Sequence, residues 1–373
     1  MQGATAFEAF VTTIIDGSCW PFLAFRQLRA VPAVMFDTAA QQAGRSRLRH
    51  FLATWWFCAR FGISPSDYHN YALHRTERRR QAGDFLFARE YHRIYARLFE
   101  RADASEIHRT DNKLDFCRLC ALHGLQSPHI LALAVDGAFE FQEPRDGGAW
   151  NGDIIMKPQH GSNGSGFYRW QRQADGSYVG ALGESMSTEN ILAQVLSFSK
   201  QRPTLVQKRL VNDPQTARLS GGALATVRVV TGRHANGEIE VIAAAVKMPV
   251  GNSLVDNYMR GNVLTQVDAS TGLMLTGLYY YQHLVPIDRH PDTGEMFTGR
   301  PVPQWTDITR LAKAAHALVP SLAVVAFDVA PTTDGPVIVE ANTRGDLSMV
   351  QYPNGRPIGQ TAYTRVVLAK FGL

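Results

Sequence analysis

The sequence predicts an α+β fold in which a mostly helical N-terminal region, residues 1–105, precedes a segment dominated by antiparallel strands. Three observations carry this expectation. Apolar residues recur at helical spacing in "FEAFVTTII", "SRLRHFLATWWFCARFG" and "DFLFAREYHRIYARLFERA". From Ile130 onward the texture changes to short β-rich runs separated by turns that contain Gly and Asp. Two further helical runs, "STENILAQVLSF" and "ITRLAKAAHALV", lie among those strands.

Taken in order, the second N-terminal helix is expected to close at Gly62 and Pro65. The run "HRTERRR", His74 to Arg80, reads as a solvated helix face or as a contact for an acidic partner. Trp55, Trp56 and Phe57, behind Arg45, Arg47 and Arg49, fit core packing or a peripheral membrane contact. Next comes the helix "DNKLDFCRLCALHGL", with Thr110 or Asp111 as N-cap and Gly124 at its C-terminus. Cys117 and Cys120 fall inside that helix with no second cysteine pair nearby, so they read as small core residues. The expected strands are "DIIMKP", "GFYRWQRQ", "SYVGAL", "TLVQKRLV", "LATVRVVTGR", "EIEVIAAAVKMPV", "LMLTGLYYY", "AVVAFDVAP" and "PVIVEAN".

Bulk properties narrow the class. The chain has 373 residues, 45% hydrophobic and 19% charged, which suits a globular protein with a large core. A net charge of +5 suits an anionic small partner but is too weak to argue for nucleic acid. Four cysteines are too few for a disulfide framework. The N-terminus lacks a basic start and carries Glu8 and Asp16, and the longest apolar run, Phe51 to Ile63, is interrupted by Arg60. The expectation is a cytoplasmic protein.

The chemistry concentrates in "VVAFDVAPTTDGPVIVEANTRGD". Asp334-Gly335 between two apolar runs predicts a hairpin, which sets Asp328 opposite Glu340 and places Asn342 on the same face. Two carboxylates held about 5 Å apart in apolar surroundings repel unless one takes a proton or a cation sits between them. Oxygen-only ligands favour a hard divalent ion, Mg²⁺ before Ca²⁺ or Zn²⁺, and Mg²⁺ with few protein ligands completes its shell with water and phosphate oxygens.

The rest of a phosphate site is present. Lys157 ends a strand and is followed by Gly161, Ser162, Asn163, Gly164, Ser165 and Gly166, a loop whose amides can close on phosphates. Its strand–loop–strand setting differs from loops that open a helix. Lys113 begins the 111–124 helix and either reaches a phosphate or is a solvated first-turn lysine. Arg228, inside an apolar strand, needs an anionic partner, and Lys247 follows the same logic with less force. Gln207, Lys208 and Arg209 end a strand that can present backbone groups to an adenine edge.

In order and spacing, Lys113 in "DNK", Lys157 in "IIMKP", "HGSNGSGF", "TLVQKRLV", Arg228 in "TVRVV" and the "FD…VIVEAN" triad resemble the ATP-grasp superfamily. The tail "EANTRGDLSMVQYPNGRPIG" and the segment "SLVDNYMRGN" make the sugar-transfer-associated branch, related to α-L-glutamate ligases, the nearest likeness, over roughly residues 105–365. The resemblance implies two α+β halves clasping ATP, residues 106–206 forming the lid-bearing half and 207–373 the Mg²⁺-binding half. Lys113 and Lys157 would touch phosphates and adenine, and the Gly-rich loop would cover the triphosphate. Gln207, Lys208 and Leu210 would line the adenine pocket. Asp328, Glu340 and Asn342 would hold one or two Mg²⁺. Many relatives have an acid after the hinge for the ribose, where this chain offers Asn212 and Asp213. Arg228 would hold an acyl phosphate, with Lys247, Asn257, Arg260 and Arg344 as substrate contacts. The implied activity is a carboxylate–amine ligase acting on small acids and amines, with a sugar-linked substrate as one form of them; the alternatives are a kinase on the same fold and a non-catalytic nucleotide-binding partner.

Overall fold

A computed structural model describes residues 20–145, 150–160, 166–221, 223–257, 261–281, 283–345, 347–352 and 356–373. The expected helix "FEAFVTTII", Cys19, Gly161 to Ser165, and Arg260 lie outside the described residues.

The β-rich runs form two sheets, each of seven strands and antiparallel throughout among the described residues. The smaller sheet uses β1 (Ile130–Val135), β2 (Ala138–Gln142), β3 (Ile154–Pro158), β4 (Tyr168–Arg172), β5 (Tyr178–Gly180), β6 (Ser185–Met186) and β7 (Thr204–Lys208), in the order β2-β1-β7-β3-β4-β5-β6. The larger sheet uses β8 (Thr226–Arg233), β9 (Ile239–Met248), β10 (Val263–Val267), β11 (Gly277–Tyr281), β12 (His283–Ile287), β13 (Val324–Thr332) and β14 (Gly335–Asn342), in the order β12-β11-β10-β9-β8-β13-β14. Of these, β1, β2, β6, β10 and β12 were not among the runs expected from the sequence.

Each sheet has its own core. Ile154, Met156, Trp170 and Val206 of the smaller sheet pack with Ile191 and Val195 of the helix Thr188–Ser199. Val227, Val229, Val325 and Phe327 of the larger sheet share a core with Ile308, Ala312 and Ala315 of the helix Trp305–Ala317. The helix Lys113–Leu122 contributes to both sides. Its Leu114 packs with Leu133 and Leu205 of the smaller sheet, and its Phe116, Leu119 and Cys120 belong to the core of the larger. Cys117 and Cys120 are buried, free thiols in this helix.

The N-terminal helices are not a separate globule. Phe57, Tyr68, Tyr71, Phe85 and Phe87 share a core with Val230, Ile242, Leu264 and Val366. Gln351 fastens the join: its Oε1 accepts from Leu86 N, and its Nε2 donates to Leu86 O. Arg78, from the basic "HRTERRR" run, donates to Gln351 O and lies 4.4 Å over the Phe85 ring. That arginine is therefore partly an internal strut.

Local termini follow capping chemistry. Ser46 caps the helix Arg47–Phe61, which ends at Gly62 with φ 67°. Pro65 was expected to help close that helix. Instead it opens the next one, Pro65–Asn70, behind an Ser64 cap, because a proline at the first helical position gives up only an amide that has no partner there.

Candidate functional site

The hairpin β13–β14 pairs Asp328 with Glu340, as the turn arithmetic predicts, by a different route. The ladder closes at Thr332 and Gly335, half a residue short of Asp334, and Val329 pairs with Ile338. A β-bulge at Val339 absorbs the difference and restores Asp328 opposite Glu340. Asn342 Nδ2 donates to Glu340 Oε1 at 3.4 Å, so the amide and the carboxylate lie together.

The repulsion expected between the two acids is relieved by the protein's own cations. Arg228, across the ladder on β8, forks onto Asp328, with Nε at 2.7 Å from Oδ1 and Nη2 at 3.1 Å from Oδ2. Lys247 Nζ on β9 lies 3.0 Å from Asp328 Oδ2 and 3.2 Å from Asp256 Oδ2. Burial alone pushes the Asp328 carboxyl up; Arg228, then Lys247, outweigh it and hold the group well below the usual carboxylate range. Burial likewise lowers Lys247, but Asp256 and Asp328 reverse it and hold the ammonium charged. Arg228 is thus partnered inside its strand by a protein carboxylate, a contact that the sequence reading did not include.

A second group of cations faces this one. Asn112, not Thr110 or Asp111, caps the helix Lys113–Leu122, its Oδ1 accepting from Leu114 N and Asp115 N. Gln159 Nε2, just past β3, donates to the same Oδ1 at 3.1 Å and ties the end of that strand to the helix start. Asp111 accepts from Thr343 N and Oγ1 at 3.1 and 2.8 Å, which anchors the residue after Asn342 beside Lys113. Lys113 Nζ is then 4.0 Å from Glu340 Oε2. Burial, followed by the neighbouring Lys113 ammonium, pulls Lys157 down to about 8 against the opposing pull of Glu340.

In β7, Leu205 pairs with Lys157 and Gln207 with Ile155, so Gln207 and Lys157 share a face of the smaller sheet. Gln207 is buried, and its Oε1 has no hydrogen-bond partner among the described residues. Lys208 is exposed and Leu210 half-buried beside it. β3 and β4 pair across the Gly-rich segment, confirming a hairpin setting. Gly166 ends that segment at φ +73°, where an added Cβ would lie 3.0 Å from Arg202 Nη2.

Four of the residues expected at the site have contacts elsewhere. Asp213 caps the helix Pro214–Ser220, accepting from Gln215 N and Thr216 N through Oδ1 and from Thr216 Oγ1 through Oδ2. Asn212 is consumed by Ala225 and Pro331. Both side chains are thus engaged within the protein. Arg344 is exposed and stacks 5.2 Å over Phe99 of the helical region. Asn257 is half-buried and accepts from Asn262 Nδ2 through its backbone oxygen at 2.8 Å.

Asp256 was missed. It accepts from Thr226 Oγ1 and from Lys247, forming a chain of alternating charge: Arg228, Asp328, Lys247, Asp256. Its segment, "SLVDNYMRGN", stood out in the sequence, but nothing local distinguishes this acid from Asn257 or Arg260. The donor set Asp328, Glu340 and Asn342 is oxygen-only and fits Mg²⁺. Among the described residues no three His, Cys, Asp or Glu side chains are grouped to hold a metal ion.

Solved structures to which the chain is similar include an L-amino acid ligase from Bacillus licheniformis, 12% identical, covering 66% of this chain and 43% of that one with a TM-score of 0.39. A D-alanine–D-alanine ligase from Bacillus anthracis complexed with ATP is 8% identical over 72% of this chain and 67% of that one, TM-score 0.39. An N5-carboxyaminoimidazole synthase from Aspergillus clavatus, in complex with ADP and 5-aminoimidazole ribonucleotide, is 10% identical over 65% of this chain and 47% of that one, TM-score 0.36. The chain thus spans less than half the length of the first of these. No curated protein matches. The model of the sugar-transfer associated ATP-grasp family matches residues 92–364, the whole stretch that holds both sheets and every side chain of the site, and the chain belongs to that family.

Proposed function

We propose that the protein is an ATP-dependent carboxylate–amine ligase that works through an acyl phosphate, in the assembly of a glycan or glycoconjugate. The observation that supports it most is the pairing of Arg228 and Lys247 beside the Asp328–Glu340–Asn342 set. One side of this arrangement suits a metal-bound triphosphate, the other an anionic acid. The family's link to sugar transfer supports the biosynthetic setting.

In the proposed reaction an oxygen of the substrate carboxylate attacks the γ-phosphorus of ATP. The bond to the β–γ bridging oxygen breaks and ADP leaves with the electron pair. The amine nitrogen then attacks the carbonyl carbon of the acyl phosphate, expels inorganic phosphate and loses a proton, giving an amide. Asp328, Glu340 and Asn342 would hold Mg²⁺, whose contribution is to neutralise phosphate charge. Lys113 and Lys157 would contact the phosphates, and the Gly-rich run from Gly161 to Gly166 would cover them. Gln207, Lys208 and Leu210 border adenine, where the orphaned Gln207 Oε1 suits the N6 amino group. Arg228 and Lys247 steady the reacting acid and its phosphate, and catalysis consists mainly of positioning and charge stabilisation. Asn257 and Arg260 would be further contacts for the acceptor.

The test is turnover with Mg-ATP and panels of acids, with hydroxylamine as trap. The expected result is acid-dependent ADP release together with a hydroxamate of that acid. ADP release that leaves a stable phosphate ester, and no hydroxamate, assigns the site to a kinase. Tight nucleotide binding with no ADP from any acid or alcohol assigns it to a binding module.

A further inference from the structure

The helix Arg47–Phe61 has two unlike faces. His50, Thr54, Phe57 and Cys58 are buried and already give it an inward face. On the opposite side Leu48, Leu52 and Trp56 recur every fourth residue and are 68%, 51% and 58% exposed. Such spacing draws one stripe, about 12 Å long, down the outside of a helix. Trp56 is followed by Phe61, 55% exposed, with ring centroids 6.5 Å apart. The neighbouring helix Trp20–Leu28 is joined to it through Phe25 against Phe51 and through Trp55 Nε1 donating to Pro21 O. That helix adds Phe22, 69% exposed, and Phe25.

The charge around these apolar groups has one sign. Residues 20–62 contain six arginines (Arg26, Arg29, Arg45, Arg47, Arg49, Arg60), no lysine or glutamate, and a single aspartate. That aspartate, Asp37, lies 3.2 Å from Arg47. Arg49 and Arg60 flank the stripe and are exposed, and Arg29 and Arg60 lie over the rings of Phe25 and Phe61 at 4.8 and 5.6 Å. Stacked this way, a guanidinium keeps its N–H edge outward while covering an aromatic face.

We infer that these two helices form a docking surface for an anionic lipid bilayer. Leucine, tryptophan and phenylalanine side chains enter the boundary between headgroups and acyl chains, and the surrounding arginines pair with lipid phosphates. Charge decides between this occupant and a second copy. A two-fold contact through this face would set arginines against arginines, whereas an anionic lipid surface supplies the missing sign at every position. The attachment is to the surface: no helix among the described residues is long and apolar enough to cross a membrane. This inference is independent of the reaction proposed above.

The test is co-sedimentation of the full chain with vesicles of phosphatidylcholine alone and of phosphatidylcholine with phosphatidylglycerol. Binding is expected only with the anionic vesicles and is expected to fade as salt rises. The double change Leu52→Glu, Trp56→Glu should lower partitioning about tenfold or more, and Arg49→Ala or Arg60→Ala about fivefold each. These side chains are exposed, so nucleotide affinity and melting temperature should stay as in the unaltered protein; both are measured to show that the variants are folded. Absence of binding to anionic vesicles at low salt overturns the inference, as does binding that survives the Leu52/Trp56 change. It is also overturned if the double change turns a dimer into a monomer in protein that ignores vesicles, which would make the partner a second copy. If vesicle binding emerges only after residues 1–19 are deleted, the face belongs to the chain's own N-terminus and the inference fails.

Discussion

Asp213 commits both carboxylate oxygens to the helix behind it. Asp213→Ala is therefore expected to cost about 1–2 kcal/mol of stability in chemical denaturation and to leave ATP affinity unchanged by calorimetry. A ribose contact would reverse that pattern. The "NDPQT" run already carries the cap signal, an Asp ahead of a Pro at the first helical position. Asp256 was illegible for another reason: its partners Lys247 and Thr226 are joined to it only by the sheet. Lys157 offers a pH test. In the free protein it titrates near 8 because it is buried beside Lys113. A phosphate contact favours the charged form, so above that pH binding must take up a proton and below it need not. ATP affinity should be flat below pH 7 and fall by up to about tenfold per pH unit above 8. Lys157→Arg, which remains charged, should flatten the profile.

Among elements, the β13–β14 ribbon shows what a sequence can and cannot convey. Two apolar runs about an Asp-Gly turn were enough to pair Asp328 with Glu340, because turn chemistry and a two-residue period are local. The bulge at Val339 was invisible, since it depends on how the strand bends against β13 and the helices beside it. The start of the helix Lys113–Leu122 is the joint that brings the two lysines together. Asn112→Ala removes an acceptor shared by two helix amides and by Gln159. It should lower stability by about 1–2 kcal/mol and weaken ATP binding measured by calorimetry. Asn112→Asp keeps an oxygen at that point and should recover most of both.

At the scale of the whole molecule, the helical region was legible as helices but not as a partner of the larger sheet, because an amphipathic period names a buried face without naming what covers it. Its interior holds three buried histidines. His69 Nδ1 donates to Pro65 O at 2.7 Å, leaving Nε2 to accept from His50 Nε2 at 3.2 Å, while His74 Nε2 donates to Gln42 Oε1 at 2.9 Å. Burial, then neighbouring cationic groups, lowers His50 to about 4 and His74 to about 3. The unfolded chain binds protons on these rings from about pH 6.5 downward and the folded chain does not, so stability is lost as pH falls through that window. At pH 5 the loss is about 2 kcal/mol for each of the two. The melting temperature should drop by several degrees between pH 7 and 5, and His50→Gln with His74→Gln should reduce the drop.

Gln351 grips Leu86 through both ends of one amide, and Tyr71 meets Tyr352 edge-on at 5.3 Å just beside it. Recognition of the first hundred residues is thus written into the last twenty-five. Two polypeptides divided near residue 102 and expressed together should find each other and rebuild the fold, whereas the longer piece made alone should precipitate with its tyrosines uncovered. Such a split pair would serve as a reporter whose ATP site reassembles only when the halves meet.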